Sequence, residues 1–281
     1  MNHHKLTQAH IDVYIRHLRT EERSAATAEK YLRDIRIFAG RIKGRPVTKE
    51  SAAGWKAALL AQGLAPATVN AKLSAINGLF RFLGWDECRV KFLKVQRRIF
   101  RKPHQELARQ EYIRLVEAAR RLGRERLALA METICGAGIR VSELRYITVE
   151  ALKTGQADIV LKGKVRTIIL PGKLSRKLLK YAQKQKIASG AIFRTKAGTP
   201  LSRFQIWKGM KSLCAEADVE PSKVFPHNLR HLFAATFYRA TRDIVKLADV
   251  LGHSSVNTTR IYLLATGAEH ARQLERLGLV S

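Results

Sequence analysis

Four short clusters in the second half of the chain carry side chains suited to chemistry on a phosphate ester. Arg140 follows a Gly-Ala-Gly corner, and His227 and Arg230 stand three residues apart at the start of a predicted helix. His253 lies in a turn after Leu-Gly, and Tyr262 follows it by nine residues. Each of these residues alone is most often structural. Together they offer arginine forks that neutralise phosphate oxygens and a phenol that can attack phosphorus.

Acidic residues are sparse in the same region. From residue 221 to 281 they are Asp243, Asp249, Glu269 and Glu275, and no two form a paired-carboxylate motif. A two-metal nuclease needs such carboxylates to hold its ions. The sequence therefore predicts neither a metal site nor a cofactor, and it favours metal-free cleavage in which a lysine protonates the leaving oxygen.

The elements that must position these residues fall into two parts. Before residue 90 the pattern predicts four amphipathic helices, with Thr7, Ser24 and Thr48 suited to cap the first three and Pro66 to the first turn of the fourth. We therefore expect an all-α four-helix domain over residues 1–90.

The rest of the chain is mixed. Two β-branched runs, 158–161 and 165–170, flank Lys162-Gly163-Lys164 and predict a hairpin with lysines at its tip. Helices are predicted at about 109–121, 124–135, 173–187, 202–217, 227–239, 243–251 and 256–264, with one more at the carboxy end. The expected fold class is thus mainly α with a small β-hairpin, and residues 106–281 form an α-rich α+β domain.

The charge of the chain points to a polyanionic partner. Its 281 residues contain 52 Lys plus Arg and 23 Asp plus Glu, a formal net charge of +29, and 46% hydrophobic residues argue for a folded protein. Nucleic acid is the favoured partner, because the sequence shows neither an apolar span nor a basic amphipathic helix that would indicate a membrane. Cys88, Cys135 and Cys214 are far apart, which fits a reducing cytoplasm, where the protein would associate with the nucleoid.

A densely basic linker is predicted between the two parts. Residues 91–105 begin KFLKVQRRIFRKP and are expected to cross a phosphate backbone rather than only to connect domains. The predicted DNA contacts of this linker are Lys91, Lys94, Arg97, Arg98, Arg101 and Lys102.

Taken as an ordered set, the clusters resemble the signature of the tyrosine recombinases, also called phage-type integrases. The residues are Arg140-Val-Ser-Glu-Leu, the hairpin lysine, His227-x-x-Arg230, Leu-Gly-His253 and Tyr262. The four-helix part resembles the core-binding domain of that family, in a two-domain, Xer-like arrangement without an arm-binding domain. The resemblance implies site-specific DNA recombination through a 3′-phosphotyrosyl intermediate and a Holliday junction, by a homotetramer on two double-stranded sites.

The resemblance also implies a role for each signature residue. Tyr262 would attack the scissile phosphate, and Arg140 and Arg230 would clamp it. His227 would assist proton transfer at the tyrosine, and His253 would hydrogen-bond the phosphate. Neither a metal ion nor ATP would be required.

The hairpin departs from the family pattern, which often reads Gly-Lys-Gly-x-Lys. The resemblance implies that the hairpin lysine is the general acid, which protonates the leaving 5′-oxygen. Lys162 matches this lysine by its position before glycine. Lys164 is the alternative candidate and would otherwise contact a DNA phosphate. Glu143 is interpreted as support for the fold of the site. His231 is assigned to a different helix face from His227 and to packing. The tail after Tyr262 either packs on its own domain or, as the resemblance implies, docks on a neighbouring protomer.

Two alternatives remain open at this point. A type IB topoisomerase would use the same chemistry as a monomer with little site preference, and the long terminal segment argues against it. A DNA-binding regulator without a reaction would fit the charge equally well, and the combination of Tyr262 with both arginines argues against it. The sequence assigns neither a target DNA sequence nor an accessory protein.

Overall fold

The chain forms two compact units, Met1–Arg97 and Arg98–Ser281. The structure is a computed structural model, and it describes residues 4–95, 106–161, 164–195, 197–263 and 275–276. The expected fold class is confirmed, because helices dominate and a two-stranded antiparallel sheet accompanies them. The domain limits at residues 90 and 106 stay predictions. Across the described ranges, no helix combines the length and the apolar character that crossing a membrane requires.

The first unit is built from helices whose predicted caps are present. Its described elements are α1 (Gln8–Thr20), α2 (Ala25–Ile42), α3 (Lys49–Ala61), α4 (Pro66–Phe82) and a 3-10 turn at Asp86–Cys88. The hydroxyls of Thr7, Ser24 and Thr48 each accept a hydrogen bond from the backbone N–H three residues on. This bond satisfies a donor that the first turn of a helix leaves unpaired. Pro66 begins α4, where its missing N–H costs nothing.

An aromatic core holds these helices together. The ring of Phe38 on α2 lies 5.3 Å from that of Trp55 on α3 and 5.8 Å from that of Phe80 on α4, measured between centroids, and all three residues are buried. Asp34 is buried beside this core, and its carboxylate accepts a 2.8 Å hydrogen bond from the Lys72 ammonium. The charge is thus paired across α2 and α4, as a buried carboxylate requires.

Two asparagines of α4 hold the segment that leaves the first unit. The side-chain amide of Asn77 donates to the Val90 carbonyl at 2.8 Å and accepts from the Val90 N–H at 3.1 Å. Asn70 makes the same pair of bonds with Leu93, at 2.9 and 2.8 Å. The first residues of the predicted linker are therefore attached to α4 as far as Leu93, and Lys91 between them is exposed.

Replacing Asn77 by leucine should destabilise this unit. Asn77→Leu keeps the volume of the side chain but leaves the Val90 N–H and carbonyl without partners, so the free energy of unfolding should fall by about 2–4 kcal/mol. The measurement is urea denaturation followed by tryptophan fluorescence. Gln62→Leu removes an exposed amide and serves as the control. Equal stability of the two variants would contradict the role of Asn77.

The second unit is organised around one buried helix. Its described elements are α5 (Arg109–Arg121), α6 (Glu125–Ala137), a 3-10 helix at Val141–Tyr146, α7 (Val149–Thr154), β1 (Gln156–Leu161), β2 (Lys164–Ile169), α8 (Gly172–Lys184), α9 (Arg203–Lys211), α10 (Cys214–Ala217), a 3-10 turn at Pro221–Lys223, α11 (Pro226–Thr241), α12 (Ile244–Leu251), α13 (Val256–Thr259) and a 3-10 turn at Arg260–Leu263. Helix α6 packs against α5, α8, α9 and α11. Its residues Ala128, Ala130, Met131 and Ile134 are fully buried, and the small alanines allow close helix approach.

The hairpin differs from its prediction at the turn. Leu161 pairs with Lys164, so Lys164 is the first residue of β2 and does not belong to the tip. Residues 162 and 163, which include the general-acid candidate Lys162, lie outside the described residues. Ile159 pairs with Arg166, and this register decides which side chains of β2 face the core.

Several predicted helix limits were wrong. Gly136 and Ala137 continue α6, which ends only at Gly138 in a left-handed conformation with φ 62°. The helix predicted over 202–217 is broken into α9 and α10. The helix predicted over 256–264 is one α-turn followed by a tighter 3-10 turn, a common form at helix ends. The predicted terminal helix lies outside the described residues.

Candidate active site

Three guanidiniums lie around one buried carboxylate. Glu143, in the 3-10 helix after Arg140, is 1% exposed. Its Oε1 accepts from Arg140 Nη1 at 3.0 Å and its Oε2 accepts from Arg166 Nη2 at 2.7 Å, while Arg230 Nη1 lies 4.0 Å from Oε2. The Arg140 backbone N–H also donates to Oε2, at 2.7 Å. This Glu143–arginine cluster carries one negative and three positive charges, so it attracts an anion.

Arg230 is fixed by the carboxyl ends of two helices. Its side chain is 2% exposed, its Nη1 donates to the Gly138 carbonyl at 2.7 Å, and its Nη2 donates to the Leu251 carbonyl at 2.7 Å. These carbonyls end α6 and α12, where the helix dipole favours a cation. Gly138 is required here, because a Cβ on its left-handed backbone would lie 2.4 Å from the Phe233 ring. Burial, and then the charge of Arg140, lowers the pKa of Arg230, which stays protonated at neutral pH.

His253 is held as a neutral imidazole. Its Nε2 lies 3.0 Å from Arg230 Nη2, and its Nδ1 lies 2.8 Å from the hydroxyl of the buried Thr259. A guanidinium can only donate, so Nε2 is the acceptor and Nδ1 carries the proton toward Thr259. Burial, together with the charges of Arg230, Arg140 and Arg166, lowers the pKa of His253 to about 4.

Tyr262 lies among imidazoles on one side and apolar side chains on the other. Its ring centroid is 4.4 Å from that of His231, 5.8 Å from His253 and 6.2 Å from His227. Interaction with the Tyr262 phenol is among the effects that raise the pKa of Arg230 against the effect of burial. Tyr262 is 7% exposed. The apolar residues behind it are Ala234, Leu247 and Leu251.

The prediction that His231 faces away from His227 was wrong. Residues four apart lie on one face of an α-helix, and the two rings on α11 are 5.4 Å apart. His231 is also in edge-to-face contact with Tyr262. The spacing in the sequence carried this signal. Burial, followed by the charges of Arg230 and Arg140, lowers the pKa of His227, so this ring is neutral at pH 7.

Two cavities adjoin these residues. One, of about 670 Å³, is lined by Arg140, Arg166, Gly252 and His253 among others. The other, of about 500 Å³, is lined on one side by Tyr262 and His231. The structure thus brings the predicted residues that it describes into one cluster, but Arg140 and Tyr262 line different cavities.

The remaining predicted residues are placed less completely. Lys91 and Lys94 are exposed. Lys164 is placed by its backbone in β2. The predicted contacts that lie outside the described residues are Lys162, Arg97, Arg98, Arg101 and Lys102.

Sequence reasoning missed Arg166 and Thr259. The sequence did indicate that Arg166 faces the core, because alternate residues of β2 face the same way. It is in phase with the buried Ile168, whereas Val165 and Ile169 are exposed. An arginine among inward-facing positions indicates a buried charge with a partner. Thr259 had no comparable signal, because its role depends on a hydrogen bond with the side chain of His253 in the preceding turn.

Neutralising Glu143 should destabilise the second unit. Glu143→Gln keeps the shape of the side chain but removes the charge that compensates buried Arg230, so the free energy of unfolding should fall by about 3–5 kcal/mol. Urea denaturation measures this loss. Glu117→Gln, at an exposed position of α5, is the control and should change stability by less than about 0.5 kcal/mol. A Glu143→Gln protein as stable as the control would contradict the cluster.

His253 should remain uncharged over the physiological range. Its pKa falls from 6.5 to about 4, so the unfolded chain binds more protons between these values. The stability that His253 contributes is therefore present above pH 6.5 and decreases as the pH falls toward 4. Imidazole ¹⁵N spectra should show the Nδ1–H tautomer, with His253→Gln identifying the signal. A cationic His253 at pH 6 would contradict the assigned bonds.

Two family models match the chain. Residues 105–268 match the Phage integrase family, and residues 11–87 match the family described as Phage integrase, N-terminal SAM-like domain. The first match spans the Glu143–arginine cluster and Tyr262, and the second covers most of α1 and all of α2, α3 and α4.

Curated relatives extend the likeness over nearly the whole chain. The tyrosine recombinase XerA of Pyrococcus furiosus is 27% identical over 280 residues, which cover 96% of this chain and 94% of that protein. The tyrosine recombinase XerC of Erythrobacter litoralis is 29% identical over 272 residues, with 90% and 87% covered. The topoisomerase and regulator alternatives are not favoured by these relatives.

Solved structures establish the fold independently. The Tn1549 transposon integrase in complex with transposon right end DNA gives a TM-score of 0.72 at 18% identity and covers 96% of this chain and 99% of its own. A lambda integrase tetramer bound to a Holliday junction gives 0.72 at 18% identity, with 93% and 78% covered. The chain belongs to the phage integrase family and is a tyrosine recombinase, an enzyme of site-specific DNA recombination.

Proposed function

We propose that this recombinase cuts each strand by attack of the Tyr262 hydroxyl oxygen on the scissile phosphorus. The P–O bond to the 5′-oxygen breaks, and the 3′-phosphate becomes esterified to the tyrosine. The supporting observation is the placement of Tyr262 against three imidazoles and the buried Arg230. The ester retains the energy of the phosphodiester bond, so rejoining by the 5′-hydroxyl of a partner strand requires neither ATP nor a metal ion.

Arg140 and Arg230 would hold the phosphate in different ways. The Arg140 side chain is 44% exposed and gives Glu143 one of its Nη groups, so the rest of its fork can bind a phosphate in the larger cavity. Arg230 is buried and bonded to two backbone carbonyls, and its Nη2 also donates to His253 Nε2. A phosphate oxygen would replace Nε2 as the acceptor. Its negative charge would raise the pKa of His253, which could then donate from Nε2 to the phosphate.

Proton transfer would be divided between the two sides of the phosphorus. His227 is neutral at pH 7 because of its lowered pKa, so it can accept the tyrosine proton as attack proceeds. Lys162 remains the proposed donor to the leaving 5′-oxygen, since it precedes glycine in the segment between β1 and β2. Lys164 is proposed to contact a DNA phosphate.

The DNA would be bound by both units and by the basic segment between them. The net charge of +29 supports contact with many phosphates, and Lys91 and Lys94 are exposed and basic where the chain leaves α4. We assign Arg97, Arg98, Arg101 and Lys102 to the same role. The complexes of related folds with transposon end DNA and with a Holliday junction support a double-stranded DNA substrate and four protomers on two sites.

Covalent capture of DNA tests the proposal and also finds the target. The tagged protein is incubated with sheared genomic DNA from its source and denatured in detergent, and attached fragments are sequenced. Wild-type protein should yield fragments that end at one common site. Tyr262→Phe should bind DNA but reduce the adduct at least about 10⁴-fold, because the nucleophile is absent.

The alternatives give different results in the same assay. Adducts scattered over unrelated sequences, with plasmid relaxation by a monomer, would indicate a topoisomerase. Complete absence of adduct on a nicked duplex, which traps the cleaved strand, would indicate a DNA-binding regulator. An adduct that survives Tyr262→Phe would remove Tyr262 from the mechanism.

A further inference from the structure

Arg166 connects three elements that meet at the proposed phosphate site. It lies on β2, and its Nη2 donates to Glu143 Oε2 at 2.7 Å in the 3-10 helix after α6. Its Nη1 donates to the Val250 carbonyl at 3.3 Å, near the end of α12. The side chain is 17% exposed and borders the cavity that Arg140 and His253 also line.

The absence of a side chain at Gly252 leaves space for this arginine. Its backbone has φ +63°, and a Cβ added there would lie 2.4 Å from both Cδ and Nη1 of Arg166. The guanidinium therefore lies directly against the turn that connects α12 to His253. A larger residue at Gly252 would displace either the turn or the arginine.

The contacts of Arg166 indicate positioning rather than optimal packing. Both of its Nη groups donate to protein acceptors, while its Nε is buried and has no hydrogen-bond partner among the described residues. A buried unsatisfied N–H lowers stability, so this side chain is not optimised for packing alone. An arginine at this position is explained by what it holds in place.

We propose that Arg166 is a positioning residue for DNA cleavage, which fixes the Gly252–His253 turn against Glu143 and thereby aligns His253 and Arg230 with the scissile phosphate. The inference rests on the proposed function. The Leu251 carbonyl that fixes Arg230 belongs to the same stretch of chain, so displacement of the turn would disturb both side chains. Arg166 itself would not contact the DNA.

The first test compares three variants on a nicked duplex that carries the captured site. Arg166→Gln and Arg166→Lys should both lower the single-turnover cleavage rate about 10–100-fold, since a lysine cannot reach Glu143 and Val250 together. DNA affinity and its salt dependence should not change. Arg121→Gln, which removes an equal charge from an exposed ion pair with Glu216, should cleave at the wild-type rate. Rescue of cleavage by lysine would overturn the proposal.

The salt dependence separates positioning from direct DNA contact. A residue that neutralises a DNA phosphate contributes about 0.9 to the slope of log affinity against log salt. If Arg166→Gln lowers the slope by that amount, Arg166 binds DNA and the proposal fails. An unchanged slope with slower cleavage supports positioning.

A double-mutant cycle tests the contact from its other side. Gly252→Ala should slow cleavage because its methyl group displaces Arg166. The same change should have a smaller effect in an Arg166→Ala background, where the clash is absent and only the strain of alanine at φ +63° remains. Additive effects of the two changes would show that Gly252 and Arg166 do not act through one contact, and would overturn the proposal.

A DNA-free measurement keeps this inference distinct from the proposed function. The charge of Arg166 helps to lower the pKa of His253, so Arg166→Gln should raise the pKa of His253 in an NMR titration, with no comparable shift in Arg121→Gln. If wild-type protein forms no adduct, the proposed function fails while this titration still tests the contact. An unchanged His253 titration in Arg166→Gln would contradict the contact.

Discussion

The burial of the Glu143 carboxylate among three guanidiniums is the constraint on which the rest of the site depends. A charge that is 1% exposed requires compensation, and Arg140, Arg166 and Arg230 provide it from three separate elements. Arg140 and Arg166 donate to this carboxylate and Arg230 lies 4.0 Å from it, so the relative positions of the three guanidiniums are set before any DNA binds. Such preorganisation is the main way in which a protein stabilises charge that develops on a phosphate.

The backbone around this carboxylate serves the same purpose. The carbonyls that end α6 and α12 accept from Arg230, and glycines at both helix ends let the chain turn while bulky groups pack against it. Gly138 makes room for Phe233, and Gly252 makes room for Arg166. These tight turns combine the polarity of helix ends with close packing, so a buried arginine is held without a second carboxylate.

Much of this arrangement was predictable, and the failures have physical causes. Helix caps such as Thr7 depend on local chemistry and were found, and the structure places Arg140, Arg230, His253 and Tyr262 in one cluster. The break between α9 and α10 was missed because Ile206, Met210 and Leu213 continue the helical pattern across it. Hydrogen bonds between distant segments, such as that between Arg166 and Glu143, leave no local pattern in the sequence. The one exception is that Arg166 occupies an inward-facing position of β2.

The hydrogen bonds made by Asn70 and Asn77 on α4 limit how far the chain can extend after the first unit. Because Leu93 is bonded to Asn70 through both of its backbone groups, three residues from Lys91 onward add nothing to the span of a connector. At the extension of a polypeptide this removes about 10 Å of reach. The free length of the connector is therefore governed by two amide side chains as well as by the number of its residues.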